Sequence, residues 1–159
     1  MKPKTQNKLI KRELLKPLHH IDTCIIIGST KETKLGFYCK KYLKLIGYKY
    51  RGCFSLPVMG ELLIKTHITV KEEIEKELFF RWMSEFINYR GVSFYTLKNL
   101  ILPHELTTID KRVNGTDALI LACAVEEKAV LVTLDKDLLN NKKIEGKYKI
   151  KIRHPKELI

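Results

Sequence analysis

Between residues 70 and 91, apolar side chains recur at helical spacing. Ile74, Leu78, Phe79, Trp82, Met83, Phe86 and Ile87 form one stripe, and Gly91 ends the run. The pattern predicts an amphipathic helix whose aromatic stripe packs into a core rather than stacking on bases. Leu35, Tyr38, Cys39, Tyr42, Leu43 and Ile46 give a second helix that stops at Gly47, and "LPVMGELLIKT" opens a third after Pro57, carrying Glu61. A fourth runs from Asn114 or Thr116 to about Lys128, with small packing positions at Ala118, Ala122 and Ala124.

Strand patterns lie between these helices. Residues 20–28, "HIDTCIIIG", read as a first strand through the β-branched Ile25 to Ile27. "VSFYTL" is a short strand, and residues 129–134 are an apolar run of buried-strand length. A short helix starts at Asp135. "KYKIKIRH" then alternates, with Tyr148, Ile150 and Ile152 on one face, and reads as a last strand. Strands alternating with helices predict an α/β fold, a mostly parallel central sheet with helices on both faces.

Composition narrows this picture without changing it. A chain of 159 residues with 45% hydrophobic content can bury the core of one domain. No apolar run has transmembrane length, and the N-terminus lacks a signal-peptide core, so a soluble cytoplasmic protein with no membrane partner is expected. Cys24, Cys39, Cys53 and Cys123 show no C-x-x-C pair and no His–Cys cluster at zinc spacing, and are read as buried free thiols. His19 and His20, just before the first strand, are read as surface residues rather than zinc ligands. "GSTKETK" lacks the spacing of a phosphate loop.

Charge adds a partner. The formal net charge is +12, and much of the excess sits at the two ends. Lys2, Lys4, Lys8, Lys11, Arg12 and Lys16 stand against Glu13. Lys142, Lys143, Lys147, Lys149, Lys151, Arg153 and Lys156 stand against Glu145. This layout favours a polyanion, nucleic acid above all. Residues 1–19 are expected to form a basic arm ahead of a domain spanning residues 20–159.

Against that basic background, a few acids occupy positions where parallel α/β sheets place their sites, at strand carboxyl ends and helix amino ends. Asp22 lies in the first strand pattern, Glu61 in the early turns of a helix, Asp117 at the start of the Ala-rich helix, and Asp135 after the 129–134 strand. Each also has a plain structural reading. Asp135 can cap a helix, Asp137 can favour its first turn, Asp117 can pair with Asn114 in a cap, and Glu61 can be a surface acid. Asp22 resists such a reading, because a carboxylate in an apolar strand needs a partner. Four converging acids require positive charge among them, and an oxygen-only donor set suits Mg²⁺ or Mn²⁺.

The segments "HIDTCIII", "VMGELL", "TDALILACA" and "VLVTLDKDLL", in this order, resemble the PIN domain family of metal-dependent nucleases across residues 20 to about 140. The resemblance implies a three-layer α/β/α domain with Asp22, Glu61, Asp117 and Asp135 as catalytic residues around Mg²⁺ or Mn²⁺. Thr133 would orient Asp135, and Asp137 would be a secondary acid. It further implies endonucleolytic cleavage of single-stranded or structured RNA, leaving a 5′-phosphate and a 3′-hydroxyl. Lys31, Lys136, Lys142 and Lys143 are the expected contacts to the nucleic acid. The one-domain form resembles the toxin of VapBC toxin–antitoxin pairs, which implies an antitoxin partner and a homodimer. Cys24 departs from the family's usual small polar residue, and the basic arm departs from the toxin pattern. An inactive nucleic-acid-binding module and a structure-specific DNA nuclease are the alternatives.

Overall fold

A computed structural model gives the fold and describes residues 15–159; residues 1–14, most of the expected basic arm, lie outside the described residues. Five strands, β1 (Leu18–Ile21), β2 (Arg51–Ser55), β3 (Ser93–Tyr95), β4 (Val130–Val132) and β5 (Ile152–Arg153), form one sheet in the order β3-β2-β1-β4-β5. Every neighbouring pair is parallel. β1 is central, and its residues are fully enclosed from His19 onward. Helices α1 (Thr23–Ser29), α2 (Lys34–Leu45), α3 (Leu56–Thr69), α4 (Glu73–Arg90), α5 (Leu102–Ile109) and α6 (Gly115–Glu126) supply the flanking layers, followed by the short α7 (Lys136–Leu139) and α8 (Lys142–Tyr148). This is the expected three-layer α/β/α arrangement.

The two faces of the sheet have distinct partners. His19 on β1 stacks on Tyr50 at 4.0 Å and Tyr42 of α2 at 5.8 Å between ring centroids, and Phe54 of β2 meets Phe86 of α4 at 6.4 Å. On the opposite face, His20 and its register partner Cys53 meet the C-terminal end of α6 at Glu127. Both histidines are therefore buried, not surface residues. The expectation missed this because β1 starts two residues earlier than its apolar pattern. All four thiols are free, with Cys39, Cys53 and Cys123 buried and Cys24 half-buried, as the sequence suggested.

Residues 20–28 are not one strand. The strand ends at Ile21, Asp22 is extended (φ −74°, ψ 152°), and Thr23–Ser29 is helical. β-propensity spans only about 1 kcal/mol, whereas burying each of two isoleucines contributes roughly 1.5–3 kcal/mol. Ile25 and Ile26 are fully buried in the helical conformation, so packing overrides propensity. Gly28 permits the close contact of α1 with α2, since a Cβ there would lie 3.1 Å from Cys39 Sγ.

The α4 stripe also differs from expectation. Met83 and Phe86 are buried and Phe79 and Ile87 half-buried, but Ile74, Leu78 and Trp82 are exposed. The fully buried residues of α4 both lie in its C-terminal half, and Leu63, Ile64 and Ile68 of α3 are exposed as well. Residues 147–154 give only the two-residue β5, because Asn141 caps α8 by accepting from Ile144 N at 3.2 Å and holds residues 142–148 helical. Two elements carried no readable pattern: β2, whose Arg-Gly-Cys-Phe-Ser lacks alternation, and α5.

Gly36, in the first turn of α2, has no room for a side chain: a Cβ would run into Lys31 O and lie 2.9 Å from Gly28 O, both backbone atoms. Gly36→Ala should cost about 2 kcal/mol and lower the urea midpoint; an unchanged midpoint would contradict this close approach.

Candidate active site

The carboxyl ends of the two central strands build the site. Asp22 follows β1 directly and its N–H donates to Val132 O of β4 at 3.1 Å, so the backbone ladder carries it to the sheet edge. The residue is 4% exposed, and burial obliges its carboxylate to find donors. Thr133 Oγ1 donates to Asp22 Oδ2 at 2.5 Å and Cys24 Sγ donates to the same oxygen at 3.0 Å. Leu134 N in turn donates to Cys24 Sγ at 3.1 Å. The thiol at position 24 thus serves as the small polar group of this corner.

Asp135 sits where β4 leaves the sheet. Its N–H donates to Thr133 Oγ1 at 3.0 Å, and its Oδ1 accepts from Asp137 N at 2.7 Å and Leu138 N at 3.1 Å. It therefore caps α7 and faces the site at once. Thr133 contacts both aspartates, donating to one side chain and accepting from the other's backbone. Asp117 lies in the first turn of α6, whose amino end points to the same edge. Asn114 makes no side-chain cap bond there; its amide donates to Lys111 O and Arg112 O. The capping role suggested for Asp117 is absent. Glu61 arrives from the second turn of α3, which starts at the end of β2.

Asp22, Glu61, Asp117 and Asp135, with Cys24, Lys65 and Leu134, line one cavity of about 210 Å³. Thus all four sequence-selected acids meet. Asp137 does not: its side chain is exposed and pairs with Arg112 at 3.3 Å. Lys65 was not foreseen, although it stands one helical turn after Glu61. Its Nζ lies 2.5 Å from Glu61 Oε1. Burial opposes its charge, but the Glu61 hydrogen bond and the charges of Glu61 and Asp22 outweigh that and raise its pKa above the ordinary lysine value.

The electrostatics of the cavity follow from crowding. Burial pushes the Asp22 carboxyl up, the Cys24 and Thr133 hydrogen bonds pull it down, and the charge of Glu61 adds to the rise. Burial, then the charges of Asp22, Asp135 and Glu61, push Asp117 up to about 6 against the pull of Lys65. One ammonium does not neutralise four acids. The donor set is all oxygen, and no three of these acids bring ligand atoms within 4.8 Å of one another. An oxygen-only donor set is the chemistry that suits a hard divalent cation keeping several of its waters, so the residues are of the type that fits Mg²⁺ or Mn²⁺.

The four lysines expected to meet nucleic acid fall in different places. Exposed Lys31 lines an adjoining hollow of about 540 Å³ that shares Cys24, Lys65 and Leu134 with the site. Lys136 is exposed beside Asp135. Lys142 and Lys143 lie in a separate cleft of about 470 Å³ with Asp110, Lys111, Arg112 and Asn141. Lys142 there is paired with Glu145 at 2.7 Å.

A parallel α/β/α domain with a carboxylate-lined cavity at the strand carboxyl edge is the class this geometry defines. The chain belongs to the PIN domain family, which matches residues 20–144. PIN domains are generally nucleases that use divalent metal ions. Among solved structures, VapBC2 from Rickettsia felis bound to a DNA fragment from their promoter is similar at 20% identity and TM-score 0.61, covering 86% of this chain and 98% of that one. FitAcB from Neisseria gonorrhoeae is similar at 14% identity and TM-score 0.63, covering 86% and 97%. FitAB bound to an IR36 DNA fragment is similar at 11% and TM-score 0.60, covering 86% and 94%. None of the curated proteins matches the chain. Among the described residues, no helix is long and apolar enough to cross a membrane.

The raised Asp117 pKa fixes a sign. Below about pH 4 the carboxyl is protonated in both folded and unfolded chains. As pH rises from there through about 6, the unfolded chain ionises first and stability falls. Asp117→Asn should therefore stabilise the metal-free protein at pH 7.5. The gain is on the order of 1 kcal/mol after solvent screening, or roughly 2–4 °C in Tm. Melting curves in EDTA should show it shrinking as pH is lowered to 4.5; a gain independent of pH would contradict the electrostatic origin.

Proposed function

We propose that this chain is a divalent-metal-dependent endoribonuclease and the toxin of a toxin–antitoxin pair. The observation that carries the nuclease reading is the meeting of Asp22, Glu61, Asp117 and Asp135, from four separate segments, around one cavity. In this reading those four acids hold Mg²⁺ or Mn²⁺. The ion supplies the positive charge that stabilises a phosphodiester oxygen and makes water a better nucleophile near neutral pH.

The chain's own residues do the rest. Thr133 and Cys24 hold Asp22 in one rotamer by converging on the same oxygen. Thr133 also fixes the backbone of Asp135, so both acids keep their separation without reorganising. Lys65 holds Glu61 while the site is without substrate. Lys31, Lys136, Lys142 and Lys143 attract the phosphate backbone by charge, an interaction that weakens as salt rises. The basic residues ahead of β1, which takes Leu18 and His19 of the expected 1–19 arm into the sheet, add charge of the same sign. RNA is the proposed substrate on the strength of the family resemblance; the basic surface serves any polynucleotide.

The toxin reading is supported by the fold neighbours, whose names are those of VapBC and FitAB assemblies. It is also supported by the apolar side chains that α3 and α4 leave uncovered, Ile64, Ile68, Ile74 and Leu78 among them. A protein partner covering those side chains, an antitoxin or a second copy of the chain, would remove them from water. A cytoplasmic location accords with such a partner.

Labelled single-stranded RNA and its DNA equivalent, incubated with Mn²⁺, Mg²⁺ or EDTA, test the activity. RNA is expected to be cut with either metal and spared in EDTA, with Asp22→Asn at least about 100-fold slower and still folded by circular dichroism. Salt-sensitive binding without cleavage of either strand would overturn the enzyme in favour of a binding module. Cleavage of DNA alone would overturn the substrate.

A further inference from the structure

A second polar cluster lies inside the molecule, away from the acidic cavity. Among the described residues, His20, Cys53 and Glu127 are the one group of His, Cys, Asp or Glu residues whose ligand atoms all fall within 4.8 Å of each other. They come from three elements: β1, its parallel neighbour β2, and the C-terminal end of α6. His20 and Cys53 are register partners on adjacent strands, so both side chains project from the same sheet face. Both are fully buried, and the Glu127 side chain is 10% exposed.

The three separations describe a small triangle. His20 Nδ1 lies 3.2 Å from Glu127 Oε2, Cys53 Sγ lies 2.9 Å from the same oxygen, and Cys53 Sγ lies 3.6 Å from His20 Nδ1. Tetrahedral Zn²⁺, with bonds of about 2.3 Å to sulfur and about 2.0–2.2 Å to nitrogen and oxygen, needs ligand edges of about 3.4 Å for N–O and about 3.6 Å for pairs with sulfur. The Cys53–His20 edge already has this length, and the His20–Glu127 and Cys53–Glu127 edges, at 3.2 and 2.9 Å, open by rotation of Glu127, the partly exposed member. His20 Nε2 lies 3.1 Å from Ser55 Oγ. A hydroxyl can donate or accept, so it can hold the tautomer that leaves Nδ1 free for a metal, as outer-shell partners of metal-bound histidines do.

We propose that His20, Cys53 and Glu127 form a binding site for a borderline-soft divalent cation, Zn²⁺ in the first place, with water completing the tetrahedron on the Glu127 side. The donors distinguish it from the acidic cavity: thiolate and imidazole select zinc-type ions, while oxygen-only sites select Mg²⁺ or Mn²⁺. On binding, the Cys53 proton leaves to solvent and the Sγ–metal bond forms. The ion ties the two central strands to the end of α6. Asp117 and Glu127 are ten positions apart on that element, about 15 Å at a rise of about 1.5 Å per residue, while His20 and Asp22 stand only two residues apart along the chain. The role is a staple that holds α6, and with it Asp117, against the sheet.

The test is a titration of the full chain, stripped of metal, with Co²⁺ as a spectroscopic stand-in and with Zn²⁺ in melting experiments. One equivalent of Co²⁺ should produce a near-ultraviolet thiolate-to-cobalt band, and one equivalent of Zn²⁺ should raise Tm. The band should survive in Asp22→Asn, which alters only the acidic cavity. It should vanish in Cys53→Ser. Glu127→Gln, a same-sized change at a partly exposed side chain that leaves the buried pair intact, should weaken binding by more than about tenfold. A wild-type protein without the band or without the zinc shift would overturn the proposal, as would a band that persists in Cys53→Ser or is unaffected by Glu127→Gln.

Discussion

A carboxylate buried at the end of the central strand constrains this molecule more than any other single group. Asp22 is nearly sealed from water, and an unpaired charge there would cost several kcal/mol. Its compensation comes from two directions: the hydroxyl of Thr133, just past the neighbouring strand β4, and the thiol of Cys24, the second residue of the following helix. The same contacts therefore fix where β1 stops, where α1 begins and how β4 meets them. The extended backbone of Asp22 is the junction between strand and helix. One side chain thus serves both the acidic cavity and the join between strand and helix.

Charge is distributed on two scales. At short range, the acids repel one another and one ammonium, Lys65, partly relieves them. At longer range, the chain carries a formal net charge of +12, the sign that favours a polyanion. These do not cancel because the acids sit in a recess while the lysines are exposed, and water screens the exposed groups from each other. Arg112 stands between the two regimes, pairing with Asp110 at 2.7 Å and Asp137 at 3.3 Å. It ties the second aspartate of the Asp-x-Asp pair to the basic cleft, away from the cavity.

α6 carries polar chemistry at both ends of an otherwise buried apolar body. Its amino end brings Asp117 to the acidic cavity, and its carboxyl end brings Glu127 to His20 and Cys53. Between them Ile120, Leu121, Ala122, Cys123 and Ala124 are fully buried. A helix anchored in this way has little freedom to slide, so the position of Asp117 depends on contacts at the far end of the element as well as on its own.

The sequence by itself determined the alternation of strands and helices, the parallel sheet, the four acids and the free thiols. These follow from local signals: periodicity, capping residues and the rule that sites collect at strand carboxyl ends. Tertiary structure decided the rest. It turned Thr23–Ser29 into a helix against the β-branched run, because buried area outweighs propensity. It left half of the α4 stripe exposed, since periodicity shows that a face is apolar but not what lies opposite. It also brought His20 to Cys53 and Glu127, residues separated by 33 and 107 positions, a proximity that exists only once two strands pair and a helix crosses them. Asp137, alike in sequence to Asp135, was sent to Arg112 instead, because two residues at the start of a helical turn cannot both face one cavity.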